Sequence, residues 1–156
     1  MKKFVLLLII ACGLIIETNA QSFEYKVITT VESIVPMGIG RSRIVEEKSP
    51  IDADNFTTER TDGKKSNQKN VKRSDAKVSL FAETKLLNFY SIAGINFQNI
   101  ASNDALISSK INKLVAEGFE LAFVTSGVES DSGKGDGKGI FITRYVFKRP
   151  KTLATE

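Results

Sequence analysis

The sequence has no histidine and a single cysteine, Cys12, which lies near its N-terminus. Without histidine there can be no Ser-His-Asp triad. Residues 21–156 contain no cysteine either, so this part of the chain has no thiolate nucleophile and no zinc site with histidine or cysteine ligands. It also has no disulfide, and a fold made from it must depend on packing.

The N-terminal residues are typical of a secretory signal peptide. Lys2 and Lys3 precede thirteen mostly apolar residues from Phe4 to Ile16, and a small residue, Ala20, ends the segment. The apolar run is shorter than a membrane-spanning helix requires. We therefore expect cleavage after Ala20 and export to the periplasm or to the medium.

Two alternatives stay open for this segment. The sequence Ile9-Ile10-Ala11-Cys12 loosely fits a lipoprotein cleavage site, in which Cys12 would carry the lipid. Against lipidation, the apolar run continues beyond the cysteine to Ile16. The second alternative is an uncleaved N-terminal anchor.

Positive charge is concentrated in residues 60–77, which we call the basic segment. Removal of residues 1–20 takes away two lysines and one glutamate, and leaves 20 basic and 17 acidic residues among 136. Within the basic segment, seven basic residues outnumber two aspartates by five, so the rest of residues 21–156 is negative overall. The seven are Arg60, Lys64, Lys65, Lys69, Lys72, Arg73 and Lys77.

The basic segment predicts a patch for an anionic partner, such as a polyanionic glycan, a lipid head group or a nucleic acid. It contains no aromatic residue, which argues against stacking on the bases of a single-stranded nucleic acid. The alternative is a solvated loop without a partner.

Apolar spacing predicts a helix followed by a strand. The helix has an apolar stripe at i, i+4, i+7 and i+8, made of Ile107, Ile111, Leu114 and Val115. Asn103 is the expected N-cap, and Gly118 follows the last turn as a C′ glycine. From Phe119 onwards the period changes to two, which indicates a strand with Phe119 buried between it and the helix.

Two more segments are predicted strands. Near the N-terminus, the more apolar residues alternate with a largely polar set, which indicates a half-buried strand. The more apolar residues are Phe23, Tyr25, Val27, Thr29 and Val31. Residues 140–148 are apolar on both faces, which predicts a central strand that is covered on both sides.

The remaining residues predict an insert and a second helix. Residues 33–77 show no sustained period, which indicates a loop-rich insert with a hairpin turn at Asp62-Gly63. This insert is a candidate cover for the second face of the sheet. Helical spacing predicts a helix from about Leu80 to Ala93, with a strand at Val78 to Phe81 as the alternative.

Several of these segments together resemble a family of short, uncharacterised bacterial domains. The resemblance lies in Leu114-Val115-Ala116-Glu117-Gly118-Phe119-Glu120-Leu121, in Tyr25-Lys26-Val27 and in Phe147-Lys148-Arg149. Phe119 stands where that family usually has tryptophan, and the insert after the first strand is long. The resemblance implies this helix-to-strand architecture and supplies no catalytic residues.

The glycine-rich stretch 127–139 is a candidate phosphate or calcium loop. Each of its Gly-Lys pairs is followed by glycine, whereas a P-loop needs serine or threonine there. Asp131 and Asp136 do not have the spacing of an EF-hand. We interpret the stretch as a plain hairpin loop.

Glu117 and Glu120 flank Gly118, and paired carboxylates can perform acid–base catalysis. The alternative, which we favour, is that both are surface residues that contact Lys148 or Arg149. Tyr25 and Tyr145 are expected in the core as amphipathic residues rather than at a catalytic site.

These patterns predict one α+β domain over residues 21–150, followed by a C-terminal tail, 151–156. A small, mainly antiparallel sheet of at least three strands carries one or two helices and the loop-rich basic insert. The sequence predicts no catalytic residue, no cofactor and no metal ligand. The leading interpretation is that the chain is an exported, non-enzymatic domain that binds a partner or itself in the cell envelope. The alternatives are a small hydrolase with carboxylate and lysine chemistry, and a lipid-anchored envelope protein.

Overall fold

The computed structural model describes three parts of the chain, residues 22–33, 42–128 and 139–151. The predicted signal peptide, Cys12, most of the glycine-rich stretch and the residues after 151 lie outside the described residues. Residues 25–149 form one compact unit, and a second unit includes residues 22–24 and 150–151. In the second unit, the Lys151 N–H donates to the Ser22 carbonyl oxygen at 2.9 Å.

The described residues form seven strands and one α-helix. The strands are β1 (Phe23–Ser33), β2 (Arg43–Glu47), β3 (Phe81–Lys85), β4 (Tyr90–Ser91), β5 (Gly94–Ile95), β6 (Glu120–Val128) and β7 (Ile140–Pro150). Five of them make an antiparallel sheet in the order β3-β2-β1-β7-β6, while β4 and β5 form a separate hairpin. The predicted α+β class is therefore confirmed, and β7 is an interior strand, as its two apolar faces predicted.

The helix α1 (Phe97–Ala116) starts earlier than the sequence pattern predicted. Its N-cap is Asn96, whose side chain accepts a hydrogen bond from the Asn99 N–H at 3.1 Å. The prediction of Asn103 as N-cap is wrong, because Asn103 lies inside the helix and is buried. No helix among the described residues is long and apolar enough to cross a bilayer.

The C-terminal end of α1 agrees with the predicted glycine stop. Gly118 has a φ of 86°, which glycine adopts without the steric penalty of a Cβ. The Gly118 N–H donates to the Val115 carbonyl at 2.9 Å, and the Phe119 N–H donates to the Leu114 carbonyl at 3.1 Å. This is a Schellman motif, and it turns the chain from the helix directly into β6.

The core lies between α1 and one face of the sheet. Its buried apolar residues are Ile28, Ile44, Leu86, Ile107, Leu114, Phe119 and Phe147. Phe119 is 4% exposed, so its predicted burial is confirmed. Val115 is 52% exposed and does not belong to the buried stripe.

The predicted buried face of β1 is wrong. Ile28 and Thr30 are fully buried, whereas Tyr25 and Val27 are 62% and 42% exposed. The residues of β1 that face α1 therefore belong to the alternate set, which looks largely polar in the sequence. Ile28 is the most apolar member of this set and packs in the core. Tyr25 is not the core residue that the sequence suggested, whereas Tyr145 does pack against the core.

The second helix predicted from Leu80 to Ala93 is absent from the structure, which has β3, β4 and β5 in this region. Residues of β3 pair with β2, from Arg43 opposite Lys85 to Glu47 opposite Phe81. The backbone groups of β2 require a partner strand, and this non-local pairing outweighs the local helical spacing.

The insert 33–77 extends the sheet instead of only looping over it, because it contains β2. Between β2 and β3 the structure has two short 3₁₀ helices, Ala53–Phe56 and Gln68–Asn70. The predicted hairpin at Asp62-Gly63 is wrong, because no strand flanks it. The Asp62 carboxylate instead accepts the N–H groups of Lys64 at 2.9 Å and Lys65 at 3.3 Å.

Candidate functional site

The most unusual polar side chain of the sheet is that of Glu46 on β2. Along β2, Ile44 and Glu46 are buried and alternate with residues that are more exposed. Glu46 lies opposite Ile28 in the register of β1 and β2, so it faces the core and α1. Its side chain is 3% exposed, which is rare for a carboxylate unless cations surround it.

Three lysines from three different elements surround this carboxylate. Lys26 on β1 and Lys48 just after β2 contact its Oε1 atom, with Nζ–Oε1 distances of 2.9 Å and 2.7 Å. Lys110 on α1 contacts its Oε2 atom, which accepts no hydrogen bond from any other described residue. We call these four residues the Glu46 cluster. The cluster joins the first two strands to the helix.

The charge balance of the Glu46 cluster determines its protonation. Burial raises the pKa of Glu46, but hydrogen bonds from Lys110, Lys48 and Lys26 together outweigh this effect and lower the pKa from 4.5 to about 2. At neutral pH the Glu46 side chain is a carboxylate, and each of its two oxygens contacts at least one lysine ammonium. It is therefore poorly suited to accept or donate a proton in a reaction.

A second group of cations lies on the ring of Phe119. The Arg149 guanidinium is 4.4 Å from the ring centroid, and the Lys26 ammonium is 5.8 Å from it. Arg149 also donates to the Glu117 carbonyl oxygen at 3.1 Å. These contacts fix the turn between α1 and β6 against the ends of β1 and β7.

Glu117 and Glu120, the candidate catalytic pair, have different partners. The Glu117 carboxylate lies 4.0 Å from the Lys26 ammonium. Glu120 forms an ion pair with Lys148 at 2.8 Å, and the two residues are opposite each other in the register of β6 and β7. Hydrogen bonding to Glu120 raises the pKa of Lys148, which stabilises its charged form.

The basic segment presents its charges to solvent. All seven of its lysine and arginine residues are exposed. Ion pairs of the described residues involve other cations, namely Lys26, Arg43, Lys48, Lys110 and Lys148. The backbone N–H groups of Lys64 and Lys65 lower the pKa of Asp62, so this carboxylate stays ionised while it shapes the turn.

An apolar cavity of about 390 Å³, largely open to solvent, lies at the C-terminal end of the basic segment. It is lined by Val45, Glu47, Lys77, Val78 and Phe81. Since Val45 and Glu47 alternate with residues that face α1, the cavity is on the opposite face of the sheet. Lys77 therefore places one ammonium group of the basic segment beside an apolar surface.

The sequence pattern did not identify the Glu46 cluster or the buried Asn103. The Asn103 side chain accepts the Leu87 N–H at 2.7 Å, and it donates to the Leu87 carbonyl at 2.8 Å and to Glu32 at 3.1 Å. A strand prediction for residues 43–47 would have found Glu46, because it shares a strand face with Ile44. For Asn103 the sequence gives no comparable signal, because its partners, the Leu87 backbone and the Glu32 side chain, are distant in sequence.

Comparisons with protein-family models, with curated proteins and with solved structures give no match to this chain. Among the described residues, no group of three or more acidic, cysteine or histidine side chains is placed to hold a metal ion. The candidate calcium residues Asp131 and Asp136 lie outside the described residues.

Proposed function

We propose that this chain is an exported, non-enzymatic domain that binds an anionic component of the cell envelope through the basic segment. The observation that carries the proposal is the exposure of all seven basic side chains of a segment with a net charge of +5. Unpaired surface cations on one segment attract anions and raise their local concentration. Export rests on Lys2, Lys3 and the apolar run before Ala20.

The apolar cavity favours one class of anionic partner. Lys77 belongs to the basic segment and also lines the cavity with Val78 and Phe81. A partner with an anionic head and an apolar portion can therefore contact both surfaces at once. We propose an anionic lipid of the envelope in preference to a bare polysaccharide.

The pKa shifts of the titratable groups support a binding role over the hydrolase alternative. The pKa of Glu46 is lowered to about 2, burial raises the pKa of Tyr145, and hydrogen bonding to Glu120 raises that of Lys148. Each shift moves the pKa further from neutrality. General acids and bases, and lysine nucleophiles, instead need a pKa shifted towards the working pH.

The test is binding of the protein to lipid vesicles with and without anionic lipid, and to heparin, each at two salt concentrations. We expect binding to the anionic vesicles, no binding to neutral vesicles, and weaker retention on heparin. Added salt should reduce the affinity because it screens exposed charges. Binding to heparin that equals or exceeds binding to vesicles would contradict the lipid assignment.

Two matched variants distinguish the effect of the basic segment on binding from the effect of positive charge elsewhere on the protein. The first changes four residues of the segment to glutamine, namely Lys64, Lys65, Lys72 and Arg73. The control changes the same residue types at exposed positions elsewhere, namely Lys85, Lys113, Lys151 and Arg144. We expect the first variant to lose at least about tenfold in vesicle affinity, and the control to lose much less. Equal losses would overturn the proposal.

A further inference from the structure

The Glu46 cluster carries more positive charge than its own carboxylate neutralises. Three lysine ammonium groups surround one carboxylate, which leaves the four residues with a net charge of +2. A lysine ammonium has three N–H donors, whereas one carboxylate offers about four acceptor sites to all three lysines together. The cluster therefore has N–H donors that Glu46 does not use.

The buried carboxylate holds these cations close together. Lys26 and Lys48 both contact Glu46 Oε1, at 2.9 Å and 2.7 Å, so their nitrogen atoms lie within about 6 Å of each other, a distance at which like charges repel. Lys110 approaches the other oxygen from α1. Because Glu46 is 3% exposed and fixed on β2, the three cations are brought together before any ligand binds, which lowers the cost of binding one.

Two of the three lysines have no other acidic partner. Among the described residues, Lys48 and Lys110 contact no carboxylate except that of Glu46, whereas Lys26 also has Glu117 at 4.0 Å. The Lys48 side chain is 40% exposed. An anion in solution therefore reaches the cluster through Lys48, on the side away from Glu117.

We propose that the Glu46 cluster binds a phosphate dianion, with Lys48 and Lys110 as its main contacts and Lys26 as the third cation. A phosphate monoester carries a charge of about −1.5 to −2 at pH 7, which matches the excess charge of the cluster, and its three oxygens accept from several donors at once. A carboxylate ligand would neutralise only half of that charge. The phosphate belongs either to a free ion or to a lipid head group, since both present the same chemistry.

This site is separate from the basic segment. It uses no residue between 60 and 77, and its lysines contact Glu46 on the side of the sheet that carries α1. Lys77 instead lines the cavity on the opposite face. The inference therefore goes beyond the proposed function and does not depend on it.

The test is calorimetric titration of the full chain with inorganic phosphate, with a short-chain phosphatidic acid and with chloride, at constant ionic strength and at a pH where the phosphates are dianions. We expect one phosphate per chain and no binding of chloride. Tighter binding of the phosphatidic acid than of inorganic phosphate assigns the site to a lipid head group, and equal or weaker binding assigns it to the free ion. A protein that binds neither phosphate overturns the inference.

Four variants connect the binding to the cluster. Lys48→Gln should lower the affinity for phosphate at least about tenfold, and Lys48→Arg should keep most of it, because phosphate binding at this position needs a cation. The matched control is Lys85→Gln, which removes an exposed lysine of β3. The fourth is the glutamine variant of the basic segment described above. Both the control and the basic-segment variant should keep the affinity. Equal losses in Lys48→Gln and Lys85→Gln, or loss of phosphate binding in the basic-segment variant, would each overturn the inference.

Glu46→Gln gives a measurement of opposite sign that does not require Lys48→Gln to fold. Without the carboxylate, the lysines of the cluster lose their anionic partner, and a bound phosphate dianion takes its place. Phosphate should therefore raise the midpoint of chemical denaturation more in Glu46→Gln than in the unchanged protein, because a ligand stabilises the folded state that binds it. An equal or smaller rise would contradict the site.

Discussion

Glu46→Gln tests how far the Glu46 cluster stabilises the fold. The pKa of Glu46 falls from 4.5 to about 2 on folding, which corresponds to about 3 kcal/mol of preferential stabilisation of the charged form. The three lysine side chains stay 17–40% exposed, so solvent screens part of this interaction. We therefore expect glutamine to lower the free energy of unfolding by about 2–3 kcal/mol at pH 7.

The pH dependence of stability gives the same cluster a second signature. Because the pKa of Glu46 is lower in the folded than in the unfolded chain, the ionised group stabilises the fold fully above about pH 4.5. This contribution is lost as the pH falls from about 4.5 to about 2. For Glu46→Gln, the decrease in the free energy of unfolding between about pH 4.5 and about pH 2 should be smaller than in the unchanged protein by about 2–3 kcal/mol.

Chemical denaturation at several pH values between 2 and 7 measures both effects. The control is Glu83→Gln, which removes an ion pair with Arg43 in which both side chains are well exposed. It should cost less than about 1 kcal/mol, as exposed pairs do. A loss under about 1 kcal/mol for Glu46→Gln, or an unchanged pH dependence, would refute the reasoning.

Three further changes test other parts of the structure. Phe119→Ala should cost roughly 3–5 kcal/mol in chemical denaturation, as truncation of a buried aromatic residue does, and a loss under about 1 kcal/mol would contradict its packing. Asn103→Ala should cost roughly 2–4 kcal/mol, because it leaves the part-buried N–H and C=O of Leu87 without their partner, whereas a neutral effect would mean that water replaces the amide. Intact-mass analysis of the exported protein should give Gln21 as its first residue, and a mass that retains residues 1–20 or a lipid on Cys12 would exclude the predicted cleavage.

The parts of the fold that could be predicted are those where neighbours in sequence determine the structure. The end of α1 at Gly118, the burial of Phe119 and the strand that follows all depend on residues within one or two turns. The apolar residues on both faces of β7 predicted a central strand, and β7 does lie between β1 and β6.

The incorrect predictions involve partners that are distant in sequence. β3 was mistaken for part of a helix because the apolar residues from Ala82 to Ala93 have helical spacing, yet Phe81–Lys85 pairs with a strand about 38 residues earlier. The buried face of β1 was predicted wrongly because Lys26, a charged residue on the side that faces the core, forms an ion pair with Glu46. A sequence pattern counts such a lysine as exposed, since it contains no information about the buried carboxylate of another strand.

The three segments that carry the family resemblance meet around one side chain. Lys26 of β1 and Arg149 of β7 both lie on the ring of Phe119, and both also contact Glu117, through its carboxylate and its carbonyl respectively. The two ring contacts need a flat aromatic face at position 119 and a cation at the other two positions, and neither requires the indole nitrogen of tryptophan. Phenylalanine at this position therefore keeps the interactions that join the segments. These contacts of packing and charge hold the three segments together in the fold.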